Sequence, residues 1–149
     1  MRASSGVEPA SSAEVAVSVA ANGENTMKSN LNILLVDDDP AICAIIKELL
    51  STLRIGCSSF TRPEEGLTAW RSGDFDAVIV DLIMPKMNGL EFIANAQPET
   101  AIVISGKVSS EVGNCLCPRY VFIGKPFGRF QLRSALVKAK LLNENEPYV

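Results

Sequence analysis

From residue 31 onward, short apolar runs alternate with stretches whose apolar positions recur at helical spacing. Residues 31–36 predict a strand that ends on the acidic run Asp37, Asp38 and Asp39. Over residues 40–53, Ile42, Ile45, Ile46, Leu49, Leu50 and Leu53 fall at the i, i+3, i+4, i+7 positions of one helix face. Asp39 supplies a capping acid, and Pro40 suits the first helical position. A second strand is predicted over 55–60. Thr61, with Glu64 three residues on, has the form of a capping box opening a helix to about Arg71. Further strands are predicted at 76–81, 101–105 and 120–124, a short helix at 89–96, and a last helix from about 128 to 142.

Strands alternating with helices imply an α/β fold, a parallel sheet covered on both faces and joined by right-handed crossovers. The second, third and fourth strands are nearly continuous in apolar or small residues, as expected for strands buried on both faces. For five strands in so short a chain, the flavodoxin-like doubly wound order 2-1-3-4-5 is the compact solution. Between 106 and 119 stand Gly113 and Pro118 but no sustained apolar stripe, so the fourth helix, like the third, is expected to be short or irregular.

Composition narrows the function classes. Of 149 residues, 47% are hydrophobic, and the formal net charge is −3, which gives no electrostatic reason to expect a nucleic-acid partner. No apolar run approaches the length of a membrane span. Residues 1–29 are rich in Ser, Ala, Gly and Asn, and Glu14 interrupts what could have been a signal sequence, so a disordered leader is expected. Met27 would itself make a natural start. The division is therefore a leader at 1–29, one folded domain at 30–143 and a polar tail at 144–149. Cys43, Cys57, Cys115 and Cys117 have no framework spacing, which points to a reducing, cytoplasmic setting. Cys115 and Cys117 resemble half a metal site, but the chain has no histidine and no second pair.

In the 2-1-3-4-5 order, ligands bind where the carboxyl ends of neighbouring strands meet. Asp37 and Asp38 end the first strand, Asp81 the third and Ser105 the fourth, while Lys125 follows the fifth. Three carboxylates held close together need a counter-charge, and an all-oxygen donor set favours Mg²⁺. Mg²⁺ and the Lys125 ammonium together balance the three negative charges. A carboxylate so placed can act as nucleophile toward phosphorus, where catalysis is mainly positioning and neutralisation.

Four blocks carry a more specific likeness: residues 36–39 (Val-Asp-Asp-Asp), 81–89 (Asp-Leu-Ile-Met-Pro-Lys-Met-Asn-Gly), 104–106 (Ile-Ser-Gly) and 125–127 (Lys-Pro-Phe). In this order they resemble the response-regulator receiver family of two-component signalling, over about residues 31–142. The likeness implies a stand-alone receiver with Asp81 as phosphoacceptor. Asp38 is then expected to bind Mg²⁺ directly, Asp37 through water, and Ile83 through its backbone carbonyl, with Asp81 completing the metal set. Lys125 is expected to hold a phosphoryl oxygen, ahead of a cis bond to Pro126. Ser105 and Phe122 take the places of the hydroxyl–aromatic switch pair, although Phe122 also reads as a fixed core aromatic. The implied partners are a histidine kinase or histidine phosphotransfer protein as donor and a downstream protein target. Such a protein accepts a phosphoryl group and loses it again without turning over a separate substrate.

Several positions depart from the pattern or stand outside it. Ile83 cannot orient water, so slow spontaneous dephosphorylation is expected, while Lys107 could reach over the site. Gly124 stands where the family has an apolar residue. Trp70 reads as packing. After Leu142 only a short tail follows, which suggests output by protein contact or onward phosphoryl transfer. Two other functions compete: a phosphorylation-independent binding adaptor, motivated by the altered 106–119 segment, and a flavin carrier. The carrier lacks a phosphate-binding loop after the first strand.

Overall fold

The computed structural model describes residues 30–145. The expected leader and residues 146–149 of the tail lie outside them. The five strands are β1 (Asn32–Val36), β2 (Gly56–Phe60), β3 (Ala77–Asp81), β4 (Ala101–Ser105) and β5 (Val121–Gly124). Between and after them run α1 (Pro40–Thr52), α2 (Pro63–Ser72), α3 (Gly89–Ala96), α4 (Ser110–Leu116) and α5 (Arg129–Lys138). The sheet order is β2-β1-β3-β4-β5, as expected from the sequence, and each neighbouring pair is parallel.

Successive side chains of a strand point to opposite faces, so each apolar strand serves two cores. Ile33 and Leu35 of β1, Ile79 of β3, and Ile102 and Ile104 of β4 face α1 and α5, against Ile46, Leu50, Leu132 and Leu136. Leu34, Val36, Val78, Val80 and Val103 face the other way, against Leu67 of α2 and Phe92 and Ile93 of α3. Strands β1, β3 and β4 are thus buried on both faces. Strand β2 is not: its pattern runs from exposed to half-buried, because it forms an edge and carries Ser58 and Ser59. Its expected two-sided burial is corrected accordingly.

Local signals were read correctly at α1, where Asp39 caps the helix by accepting from the Ala41 N–H at 2.9 Å. They were misread at α2. Its N-cap is Arg62, with no side-chain cap, and Pro63 opens the helix. The fixed φ of Pro63 sets the cap one residue beyond Thr61, at Arg62, so the Thr61–Glu64 capping box does not form. A capping box does form at α3, between Asn88 and Glu91. Helices α3 and α4 are short, with 8 and 7 residues. Helix α5 ends at Lys138, sooner than the sequence suggested, and Lys140 takes a left-handed φ of 64°. Trp70 is packing: its indole N–H donates to the Ala96 carbonyl at 3.0 Å and its ring stacks on Phe75.

Candidate functional site

The polar residues expected to converge do meet at the carboxyl rim of the sheet. Asp81 ends β3 opposite Ile104 of β4, and the Leu82 N–H donates to the Ile104 carbonyl at 2.7 Å, which anchors the chain just past the carboxylate. The loop then folds back on itself. Gly89 opens α3 so close to β3 that a Cβ there would lie 2.6 Å from the Asp81 carbonyl oxygen and 2.9 Å from Leu82 Cα. Both are backbone atoms that cannot swing aside, so only glycine fits. Lys86, in the same loop, adopts a left-handed φ of 71°.

Asp37 is fully buried and Asp81 is 6% exposed, whereas Asp38 is exposed. One carboxylate oxygen from each lies within 4.8 Å of the other two. Both Asp37 oxygens are engaged: Oδ1 accepts from the Asp39 N–H at 2.9 Å and Oδ2 from the Lys125 ammonium at 2.8 Å. Lys125 Nζ also stands 3.6 Å from Asp81 Oδ2, so one ammonium serves two carboxylates. Its backbone N–H donates to the Ser105 carbonyl at 2.8 Å, and the Lys125–Pro126 bond is cis, as expected.

Charge is not balanced by these residues alone. Burial, and then the neighbouring Asp37 charge, push the Asp81 carboxyl up to about 6, against the lowering effects of Lys125 and of a hydrogen bond from the Ile83 backbone. Burial alone would lower Lys125, but its hydrogen bond with Asp37 and the charges of Asp37 and Asp81 raise it above its ordinary value. Three carboxylates meet beside a single ammonium that pairs with two of them, and the ligand atoms they offer are all oxygens. That set fits a hard divalent cation.

The other predicted positions lie as follows. Ser105 ends β4, fully buried, with its Oγ accepting from the Lys107 N–H at 3.0 Å. The Lys107 side chain is exposed, so its link to the site is this backbone donor. Ile83 is 39% exposed at the rim. Phe122 points inward from β5 and is buried in the core between the sheet and α2–α3. Gly124 faces open contacts only, with Ser110 Oγ and the Ser105 carbonyl 3.6 and 3.8 Å from where a Cβ would stand, so sterics do not demand glycine there. Cys115 is exposed and Cys117 buried, which divides that pair between solvent and core. The sequence reading missed the Ile83 N–H as a partner of Asp81, and it missed the steric need for Gly89. The first is backbone chemistry with no residue signature; the second was legible only as a motif letter.

A family model described as the response regulator receiver domain matches residues 33–137. Chemotaxis protein CheY-3 of Vibrio cholerae is 35% identical over 79 residues, covering 51% of this chain and 59% of its own length. The uncharacterized transcriptional regulatory protein YcbL of Bacillus subtilis is 28% identical over 126 residues, or 78% of this chain and 55% of its own length. The chain therefore spans between about half and three fifths of these curated relatives. Among solved structures, a CheY-like receiver domain protein from Methanospirillum hungatei is 28% identical with a TM-score of 0.65, covering 76% of this chain and 94% of that one. Response regulator protein TrrA of Thermotoga maritima, in complex with Mg(2+)-BeF, is 26% identical with a TM-score of 0.65, covering 73% and 98%. With its fold, its acidic rim and a family match across most of its length in agreement, the chain belongs to the response regulator receiver domain family.

Proposed function

We propose that this chain is a phosphoryl-accepting signalling switch in which Asp81 is the acceptor, with Mg²⁺ beside it. The observation that carries this reading is the shared Lys125 ammonium, 2.8 Å from Asp37 and 3.6 Å from Asp81, at a rim where three carboxylates meet. Lys125 leaves Asp81 as the buried carboxylate without a short ion pair, while Asp37 is tied on both oxygens. An Asp81 oxygen attacks the phosphorus of a phosphohistidine donor. The new O–P bond forms as the P–N bond breaks, and the electron pair leaves with the imidazole. No added base is needed, since the nucleophile is already ionised above a pKa of about 6.

Asp37, Asp38, Asp81 and the Ile83 carbonyl are the residues that would hold Mg²⁺, which would supply the positive charge that lets an anionic donor approach them. The Mg(2+)-BeF complex of TrrA supports that choice of ion. Lys125 then turns from Asp81 to a phosphoryl oxygen, and the Ser105 hydroxyl supplies a further donor, with Phe122 following its movement. Ile83 presents an alkyl side chain to the rim and cannot orient attacking water, so the acyl phosphate is long-lived.

The donor is a histidine kinase or a histidine phosphotransfer protein, and output passes to a protein target in the cytoplasm. The net charge of −3 supports a protein rather than a nucleic-acid partner, and among the described residues no helix is long and apolar enough to cross a membrane. Intact mass after incubation with acetyl phosphate tests the chemistry. One phosphoryl increment is expected that requires Mg²⁺ and disappears in Asp81→Asn. Folded protein with no increment would leave a phosphorylation-independent adaptor as the better account.

A further inference from the structure

Helix α4 carries a glycine in its interior, Gly113, although glycine is a poor helix residue. Gly113 is buried, and its surroundings explain it. A Cβ built there would fall 2.5 Å from Cδ2 of the Phe122 ring and closer still to Cε2 and Cζ. The ring of Phe122 therefore occupies the volume that any other residue at 113 would fill. An aromatic ring has no flexible end that could yield. Adding one methyl group requires either that the ring leave its place or that α4 lift from the sheet.

The same helix starts at the acceptor rim and runs back along β5. Ser110, three residues before Gly113 and on the same helix face, stands with its Oγ over Gly124. Gly124 pairs with Ser105 across the sheet, and Phe122 pairs with Val103 two residues earlier. Ser105, Gly124 and Ser110 thus adjoin at the rim, with Phe122 and Gly113 one step further back on the same strand and helix, and Ser109 caps α4 through the Val112 N–H at 3.2 Å.

We propose that Gly113 is a positioning residue whose missing side chain is the seat for Phe122, holding the ring inward and making ring and α4 one mechanical unit. Movement of Ser105 is then passed to α4 rather than absorbed by rotation of the ring. This inference rests on the phosphoryl-switch reading above, and it names how that site is coupled to α4.

The test is a double-mutant cycle with amide NMR on the full chain. Gly113→Ala is expected to lower the melting temperature when residue 122 is Phe, and to leave it unchanged or raise it in a Phe122→Leu background, where Cε2 and Cζ are gone. Addition of Mg²⁺ with beryllofluoride is expected to shift the amides of Ile83 and Gly106 in both wild type and Gly113→Ala, but those of Val112 and Cys115 only in wild type. Equal melting shifts in the two backgrounds, or an unchanged α4 response in Gly113→Ala, would overturn the proposal. If Gly113→Ala alone does not fold, a folded Gly113→Ala/Phe122→Leu chain supports the seat and an unfolded one refutes it. Absence of rim shifts and of a phosphoryl mass increment in wild type defeats the switch reading instead, while the melting cycle still judges the seat.

Discussion

Asp81 should cost the metal-free protein stability, and replacing it should return that stability. Its carboxyl rises from 3.8 to about 6 on folding, first through burial and next through the charge of Asp37. A raised acid pKa means that the folded state holds the proton more tightly than the unfolded state. The penalty is therefore absent below about pH 4, grows between the two pKa values and is complete above about pH 6. A shift of roughly two units corresponds to about 3 kcal/mol. The neutral amide of Asp81→Asn keeps the shape of the side chain without its charge, and Lys125 retains Asp37 at 2.8 Å. Urea denaturation in chelator at pH 7.5 should therefore show Asp81→Asn more stable by about 2–3 kcal/mol, a midpoint shift of roughly 1–2 M. At pH 4 the two proteins should coincide. Saturating Mg²⁺ should raise the wild-type midpoint far more than that of the variant, because the ion removes the repulsion that the variant no longer has. A variant no more stable than wild type at pH 7.5 in chelator would refute the view that uncompensated charge at the rim is what the metal site corrects.

Other consequences can be checked with simple assays. Ile83→Asn places a water-orienting amide at the rim position that Ile83 holds 39% exposed, and the acyl phosphate should decay several-fold faster by mass spectrometry; an unchanged or slower decay would sink the water-exclusion argument. Gly89→Ala forces a Cβ to within 2.6 Å of the Asp81 carbonyl, so it should destabilise the fold by about 1–3 kcal/mol and slow phosphorylation from acetyl phosphate. Alkylation at pH 8 should modify Cys115 selectively, since burial raises Cys43 to about 11 and Cys57 to about 12 and also raises Cys117, whereas Cys115 is exposed; peptide mapping reads the result.

The double-sided strands were legible along the chain because burial on both faces leaves a continuous apolar run. Residues 77–80 and 101–104 could hardly serve any other purpose, and the alternation of such strands with helices implied both the parallel sheet and its helical cover. The identity of the rim residues was legible too. Strand ends are visible as the point where apolar character stops, and at those ends stand Asp37, Asp38, Asp81 and Ser105, with Lys125 just beyond β5. Edge strand β2 was misjudged because its small residues, Ser58 and Ser59 among them, resemble a buried run, although the expected order already gave it a neighbour on one side only. The start of α2 was misjudged because two local signals competed, and the rigid φ of Pro63 prevailed over the Thr61 hydroxyl.

Distances and couplings belong to the tertiary structure. That Lys125 bridges Asp37 and Asp81, and that burial and the Asp37 charge raise Asp81 in spite of it, depends on separations of a few ångströms between residues remote in the chain. Gly113 is the plainest case. In the sequence it was a helix breaker that predicted an irregular α4; in the fold it is the space that Phe122 occupies. A periodic pattern reports which face of an element is apolar, because burial acts on one residue at a time. It cannot report which atom fills a given gap, because that is settled only when two elements pack.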